Sequence, residues 1–399
     1  MEQATEDVRP EDPQATQLVV VAQLRRHLAG VMRIDAHEVL RQPDEVVVFR
    51  GQVEGDTEGA FEQISQRFAD AGYTAWLRDG AGGGHEVVAS KGELDRRTGR
   101  VWVNVVLLLA TVLSVLYIGA GYGIGDAGIF VSDLSPIEIA FLPFRYLYLG
   151  IPFAATLLAI LVAHELSHYF VARYYGSPVS LPYFIPMLNF IGTMGAVIVQ
   201  RASMRSRKAV FDIGIAGPLG GLIVAIPLLV VGLTLSSVGL PPADVESAYQ
   251  EGNSLLYLGL KYLVFGKILP NPSGEDVWLH SVAFAAWAGL LLTVLNLAPV
   301  GQLDGGHVSY ALLGRWARTL GYIFIGVMVG LGIWLLLRGN ETGSAWMVWS
   351  VLYSVMNRRH PPPLDNTTRL GWPRIALGLF LLAIFVLLFV PAPLRVVTL

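Results

Sequence analysis

His164-Glu165-Leu166-Ser167-His168 lies inside the apolar stretch Leu157–Tyr169. On a helix, residues four apart share a face, so both imidazoles can converge on one zinc ion. Glu165, turned by about 100° from His164, is placed to take a proton from metal-bound water. The five-residue pattern also arises by chance in soluble helices, and its setting is what gives it weight. A charged group inside an apolar span costs about 2.5–3.5 kcal/mol or more. A core histidine would account for one of these groups, not for all three. A zinc hydrolase needs a third protein ligand and an open fourth position. The chain has no cysteine, so that ligand has to be a histidine or a carboxylate.

The segment Asn296-Leu297-Ala298-Pro299-Val300-Gly301-Gln302-Leu303-Asp304-Gly305-Gly306-His307 can supply it. Pro299 and Gly301 predict a broken helix, with Asp304 on non-helical backbone that can turn inward. Gly305 and Gly306 permit close approach or positive φ. Two other groups stand as alternatives for the third ligand. His307 reads more simply as a solvated histidine at a loop end, and Asp212 as an acid in the first turn of a span. His27, His37, His85, His280 and His360 read as surface residues.

The elements that position these groups follow from composition. Of 399 residues 53% are hydrophobic and only 15% are charged, against about 25% charged in soluble domains. The mean hydropathy is +0.53. Apolar segments near 101–122, 149–173, 209–236, 279–300, 319–337, 344–356 and 373–392 predict about seven spans in a polytopic α-helical membrane domain over 101–395. Arg96, Arg97, Arg100, Arg201, Arg205, Arg207, Lys208, Arg315, Arg318, Arg358 and Arg359 mark one side as cytoplasmic. That orientation puts His168 and Asp304 toward the same ends of their spans. The expected setting is a bacterial cytoplasmic membrane, with the N-terminus cytoplasmic. A net charge of −3 without a long basic patch argues against nucleic acid as a partner.

Residues 1–14 are acidic and read as a disordered lead-in. Residues 15–95 predict a small cytoplasmic α+β domain: a helix near 16–33, a strand at Val46–Val53, an amphipathic helix near 58–71, and a hairpin of Tyr73–Leu77 with Glu86–Ala89. The glycine clusters Gly80–Gly84 and Gly119–Gly125 resemble phosphate loops only superficially, because neither joins a strand to a helix. Residues 177–200 are apolar, yet Pro178, Pro182, Pro186 and Gly192 break any helix. Arg173 before this stretch and Arg201 after it put both ends on one side. The segment therefore reads as a re-entrant, β-hairpin-like loop packed among the spans.

The HExxH pattern on one span, followed by N-x-x-P-x-x-x-L-D-G-G on a later one, resembles the site-2 protease family of intramembrane zinc metalloproteases, peptidase family M50. The resemblance covers a three-span core at 149–310. It implies one Zn2+ per chain held by His164, His168 and Asp304, with Glu165 as general base. Asn296 would hold substrate backbone or steady the oxyanion. Gly192, Thr193, Met194 and Gly195 resemble the strand that receives an extended substrate. Gly252-Asn253-Ser254-Leu255 resembles a segment of the bacterial and plastid branch without a PDZ insert. The implied reaction is peptide-bond hydrolysis within or beside transmembrane segments of single-span or other membrane proteins in the bilayer. A metal-binding transporter and an inactive scaffold of the same fold are the alternatives. The transporter has no use for Glu165 between two ligands, and an intact Glu165 argues against the scaffold.

Overall fold

The computed structural model describes residues 13–40, 46–92, 99–129, 134–200, 202–240 and 247–398. The chain divides into two compact units. The lead-in expected over 1–14 falls mostly outside the described residues, and a helix, α1, already begins at Pro13 (Pro13–Leu28).

In the first unit α1 is followed by β1 (Met32–Leu40), β2 (Val46–Val53), α2 (Thr57–Asp70), β3 (Tyr73–Asp79) and β4 (His85–Lys91). The strands form one antiparallel sheet in the order β1-β2-β4-β3. Asp56 caps α2 by accepting from the Gly59 amide at 2.9 Å. Phe61, Ile64 and Phe68 then fall on one buried face, each worth about 1.5–3 kcal/mol on burial. The first helix is shorter than its sequence suggested, and Met32 and Arg33 belong to a strand. Gly30, at φ +73°, ends the helix and turns the chain into β1.

Two distant segments, 202–207 and 362–369, belong to this unit. The Leu77 amide donates to the Leu364 carbonyl at 2.7 Å, and the Asn366 amide to the Leu77 carbonyl at 3.0 Å. Asp365 pairs onward with Ser206. The β3 edge is thereby covered instead of being left as a row of free polar groups. The Asp365 side chain is wholly buried and accepts from the amides of Thr367 and Thr368 at 2.9 and 3.1 Å.

The second unit contains α3 (Val101–Asp126), α4 (Pro136–Arg145), α5 (Ile151–Tyr174), β5 (Tyr183–Pro186), β6 (Thr193–Val197), α6 (Arg207–Leu235), β7 (Ser237–Gly239), β8 (Ser247–Glu251) and α7 (Leu255–Phe265). It continues through β9 (Asp276–Trp278), α8 (Ser281–Asn296), α9 (Asp304–Leu313), α10 (Ala317–Leu337), α11 (Thr342–Met356), α12 (Trp372–Leu388) and β10 (Leu394–Thr398). Four helical stretches are long and apolar enough to cross a membrane: Val101–Asp126, Leu147–Tyr174, Arg207–Leu235 and Asp304–Leu337. The helix α8, with 16 residues, extends about 24 Å. It is buried on every side from Val282 to Leu291, so protein surrounds it.

Residues 177–200 form a hairpin in which Tyr183 pairs with Val197, Phe184 with Ala196 and Pro186 with Thr193. Its irregular backbone finds partners on α3. Asn104 Nδ2 donates to the carbonyls of Leu181 and Pro182, both at 2.9 Å. Ser114 Oγ donates to the Gly192 carbonyl at 2.7 Å. Buried side-chain donors thus do what lipid cannot do for an open loop.

Candidate metal centre

The helix α5 presents His164, Glu165 and His168, all less than 5% exposed. Carbonyls only accept, so the 2.6 Å contact of His168 Nδ1 with the Ile213 carbonyl fixes the proton on Nδ1. This leaves the Nε2 lone pair of His168 facing the centre of the cluster. Nε2 of His164 and Nε2 of His168 are 3.2 Å apart. The Asp304 carboxylate lies 3.1 Å from each, through Oδ2 and Oδ1 respectively. Ligands at about 2.0–2.1 Å around a tetrahedral ion are separated by roughly 3.3 Å, so three donors at these distances fit one small divalent cation. Among the described residues this is the only such group of three.

Asp304 is not on irregular backbone, as its sequence had suggested: it is the first residue of α9, and the broken stretch ends at Leu303. A carboxylate at that position is favoured by the helix dipole. Gly305 and Gly306 serve close approach, not positive φ. A Cβ on Gly305 would sit 1.9 Å from the Leu297 carbonyl oxygen, and one on Gly306 2.4 Å from that of Gly301.

Neither alternative third ligand joins the cluster. Asp212 is engaged bidentately by Arg374, at 2.8 Å from Nε and 2.7 Å from Nη2, and also accepts from the Tyr175 hydroxyl. His307 is not the solvated loop-end histidine its sequence suggested. It lies on α9 with Nδ1 2.7 Å from Nε2 of His360. His360, expected at the surface, stacks on Tyr310 at 4.2 Å, and burial lowers its pKa to about 4.

Beside the cluster is a cavity of about 150 Å³, room for a few water molecules. Glu165, Asn296, Met194 and Gly195 line it. Gly192 and Thr193 do not. Gly192, at φ +81°, lies against α3, where a Cβ would meet Val115 Cα at 2.7 Å. Thr193 is fully buried, and its hydroxyl donates to the Ile185 carbonyl at 2.8 Å. Ser254 caps α7 by accepting from the Tyr257 amide at 3.2 Å. The Gly252 carbonyl accepts from Trp287 Nε1 at 3.0 Å. Gly252–Leu255 therefore ties α7 to α8.

The sequence reading passed over two contributors. Trp349, Leu352, Tyr353 and Met356 of α11 close one side of the cavity; from sequence this 15-residue helix had counted only as one of the spans. The helix α6 turns Gly217, Gly220 and Gly221 toward α5, where added Cβ atoms would lie 2.0 Å from His168 Nε2, 2.0 Å from Ser167 Oγ and 3.3 Å from His164 Nδ1. Small residues at helical spacing were the available signal for that close crossing.

Fold and site together define a multi-pass membrane protein with a buried cluster of two histidines and one carboxylate. Residues 152–337 match the model of peptidase family M50. The chain is 28% identical over 298 residues to the Arabidopsis thaliana protein named probable zinc metalloprotease EGY1, chloroplastic, covering 69% of this chain and 52% of that one. It is 29% identical over 249 residues to probable zinc metalloprotease EGY2, chloroplastic, of the same plant, covering 61% and 42%. It is also 32% identical over 235 residues to the protein named EGY1 in Oryza sativa subsp. japonica, covering 57% and 38%. The chain thus spans about half or less of the length of these relatives. No solved structure matches it significantly.

Proposed function

We propose that the chain is an intramembrane zinc metalloendopeptidase that hydrolyses peptide bonds within or next to transmembrane segments of other membrane proteins. The observation that carries this reading is the convergence of His164, His168 and Asp304 at 3.1–3.2 Å beside a cavity lined by Glu165. One Zn2+ fits the donor set, and zinc in such a site acts as a Lewis acid and lowers the pKa of bound water toward about 7.

The protein's own groups do the rest. Glu165, not counted among the three ligands, takes a proton from water in the cavity and can return it to the leaving nitrogen. Asn296 is placed on the same cavity to steady the developing oxyanion or hold substrate backbone. A helical substrate must unwind before its amides can be reached. The outer edge of β6 carries no strand among the described residues, so an extended substrate can add there and recover its hydrogen bonds. Met194 and Gly195 lie on the cavity side of that strand; Gly192 shapes the turn before it, and Thr193 opens the strand.

The flanking basic residues support a cytoplasmic N-terminal domain and about seven spans. The sequence suggested a bacterial cytoplasmic membrane, and the plant relatives are named as chloroplastic. The orientation of the charges is common to both readings. Inactive-scaffold and transporter readings have no particular observation in their favour.

A single-span substrate reconstituted with the purified chain tests the reading. Glu165→Gln should abolish cleavage and leave one zinc bound, whereas Asp304→Ala should lose both. Zinc loss in the Glu165 variant, or full zinc retention in the Asp304 variant, would overturn these roles.

A further inference from the structure

A second cavity, of about 540 Å³, opens where α9 ends, α10 begins and the chain leaves α11. Its wall carries Arg315, Arg318, Arg358 and Arg359 together with His360 and Tyr322, and among the described residues no aspartate or glutamate. Among the described residues none of the four guanidiniums has a carboxylate partner. Arg318 donates instead to the Tyr322 hydroxyl at 3.1 Å, and Arg315 lies over the Trp316 ring at 5.5 Å. Four like charges around one concavity repel one another, and an anion placed among them removes that cost. Guanidinium forks suit phosphate because they can donate two parallel hydrogen bonds to it.

The surroundings bear on what a phosphate bound there would be attached to. Leu313, Trp316, Tyr322 and Ile323 are 46%, 61%, 52% and 58% exposed beside the arginines. Aromatic rings with apolar neighbours at the end of a span are features of a membrane interface. Acyl chains can lie on these residues while the head group sits in the cavity.

We propose that this arginine-lined cavity binds the phosphate of an acidic phospholipid headgroup. The site is separate from the metal cluster, but it shares Gly301 and Gly306 with the turn that presents Asp304. A bound headgroup therefore rests against the backbone that sets the position of that carboxylate. His360 contributes a neutral ring, held there by its stacking on Tyr310, so the charge that recognises the phosphate is the arginines' own.

Native mass spectrometry of the full chain tests this, with dioleoylphosphatidylglycerol, dioleoylphosphatidylcholine and pyrophosphate as probes. The parent should bind the acidic lipid at least about tenfold more tightly than the zwitterionic one. Arg358→Gln with Arg359→Gln, and separately Arg315→Gln with Arg318→Gln, should each remove most of that preference. Arg173→Gln with Arg369→Gln, two exposed charges elsewhere, should leave it intact. Displacement of the lipid by pyrophosphate would support phosphate recognition but make a free phosphate compound the source. An unchanged preference in both cavity pairs, or an equal loss in the control pair, would overturn the proposal.

Discussion

Replacing Gly217 with alanine should remove the metal from the site without touching a ligand. The added Cβ would lie 2.0 Å from Nε2 of His168, 2.4 Å from its Cδ2 and 2.5 Å from its Cε1. Non-bonded heavy atoms rest at about 3.5–4.0 Å, so the imidazole would have to retreat by roughly 1.5 Å. It is not free to do so, because its Nδ1–H is held at 2.6 Å by the Ile213 carbonyl. Metal–ligand distances are kept to within about 0.2 Å, so the displacement exceeds the tolerance several-fold. Changes to groups that merely support a ligand weaken metal binding about 10–100-fold. Displacing the ligand itself should cost at least about 100-fold, or roughly 2.7 kcal/mol. Zinc affinity is measured by competition with a chromogenic chelator, and thermal unfolding is followed in parallel. Gly220→Ala carries a similar steric load, 2.0 Å from Ser167 Oγ, 2.8 Å from Ser167 Cβ and 3.0 Å from the Ala163 carbonyl oxygen, none of them a ligand. It should lower stability and keep zinc. Gly221→Ala, at 3.3 Å from His164 Nδ1, should change affinity only a few-fold. A folded Gly217→Ala protein with parental zinc affinity would refute the claim that α6 fixes the position of His168.

Three further outcomes are expected. Cysteines replacing Arg173 and Ser203 singly, in this cysteine-free chain, should both react with a membrane-impermeant thiol reagent from the same face. Labelling from opposite faces would mean that 177–200 crosses the bilayer. Asp365→Ala should orphan the Thr367 and Thr368 amides it now accepts from, at about 1–3 kcal/mol per unsatisfied group. Hydrogen exchange should then quicken at Leu77, whose amide is bound to the Leu364 carbonyl, while α5 stays protected; unchanged exchange at Leu77 would remove that segment's role in the sheet. His360 has its pKa lowered by burial to about 4, against about 6.5 when unfolded. The unfolded chain therefore binds more protons between these values, and stability contributed by neutral His360 is lost as pH falls from about 6.5 to about 4. His360→Asn should be less sensitive over that window in thermal melts; an unchanged pH slope would show that the ring titrates as if exposed.

Much of the chemistry was legible from spacing alone. Two histidines four residues apart on a helix must share a face, and an apolar neighbourhood makes three ionisable groups too costly to be incidental. Proline and glycine in 177–200 and 297–303 end helices through local backbone geometry, so the hairpin and the break before Asp304 could be read without a fold. The strand at Met32–Leu40 escaped because its polar, alternating sequence acquires meaning only through pairing with Val46–Val53. Sequence reasoning favoured Asp304 over Asp212 and His307, but it could not show what keeps the other two away from the histidines. All three lie on apolar helices, and only packing assigns Arg374 to Asp212 and His360 to His307. The glycine face of α6, the α11 wall of the cavity and the sheet edge completed by 362–369 are matters of tertiary structure. Each depends on which surfaces meet across a long sequence separation, whereas a sequence pattern fixes only what neighbouring residues impose on one another.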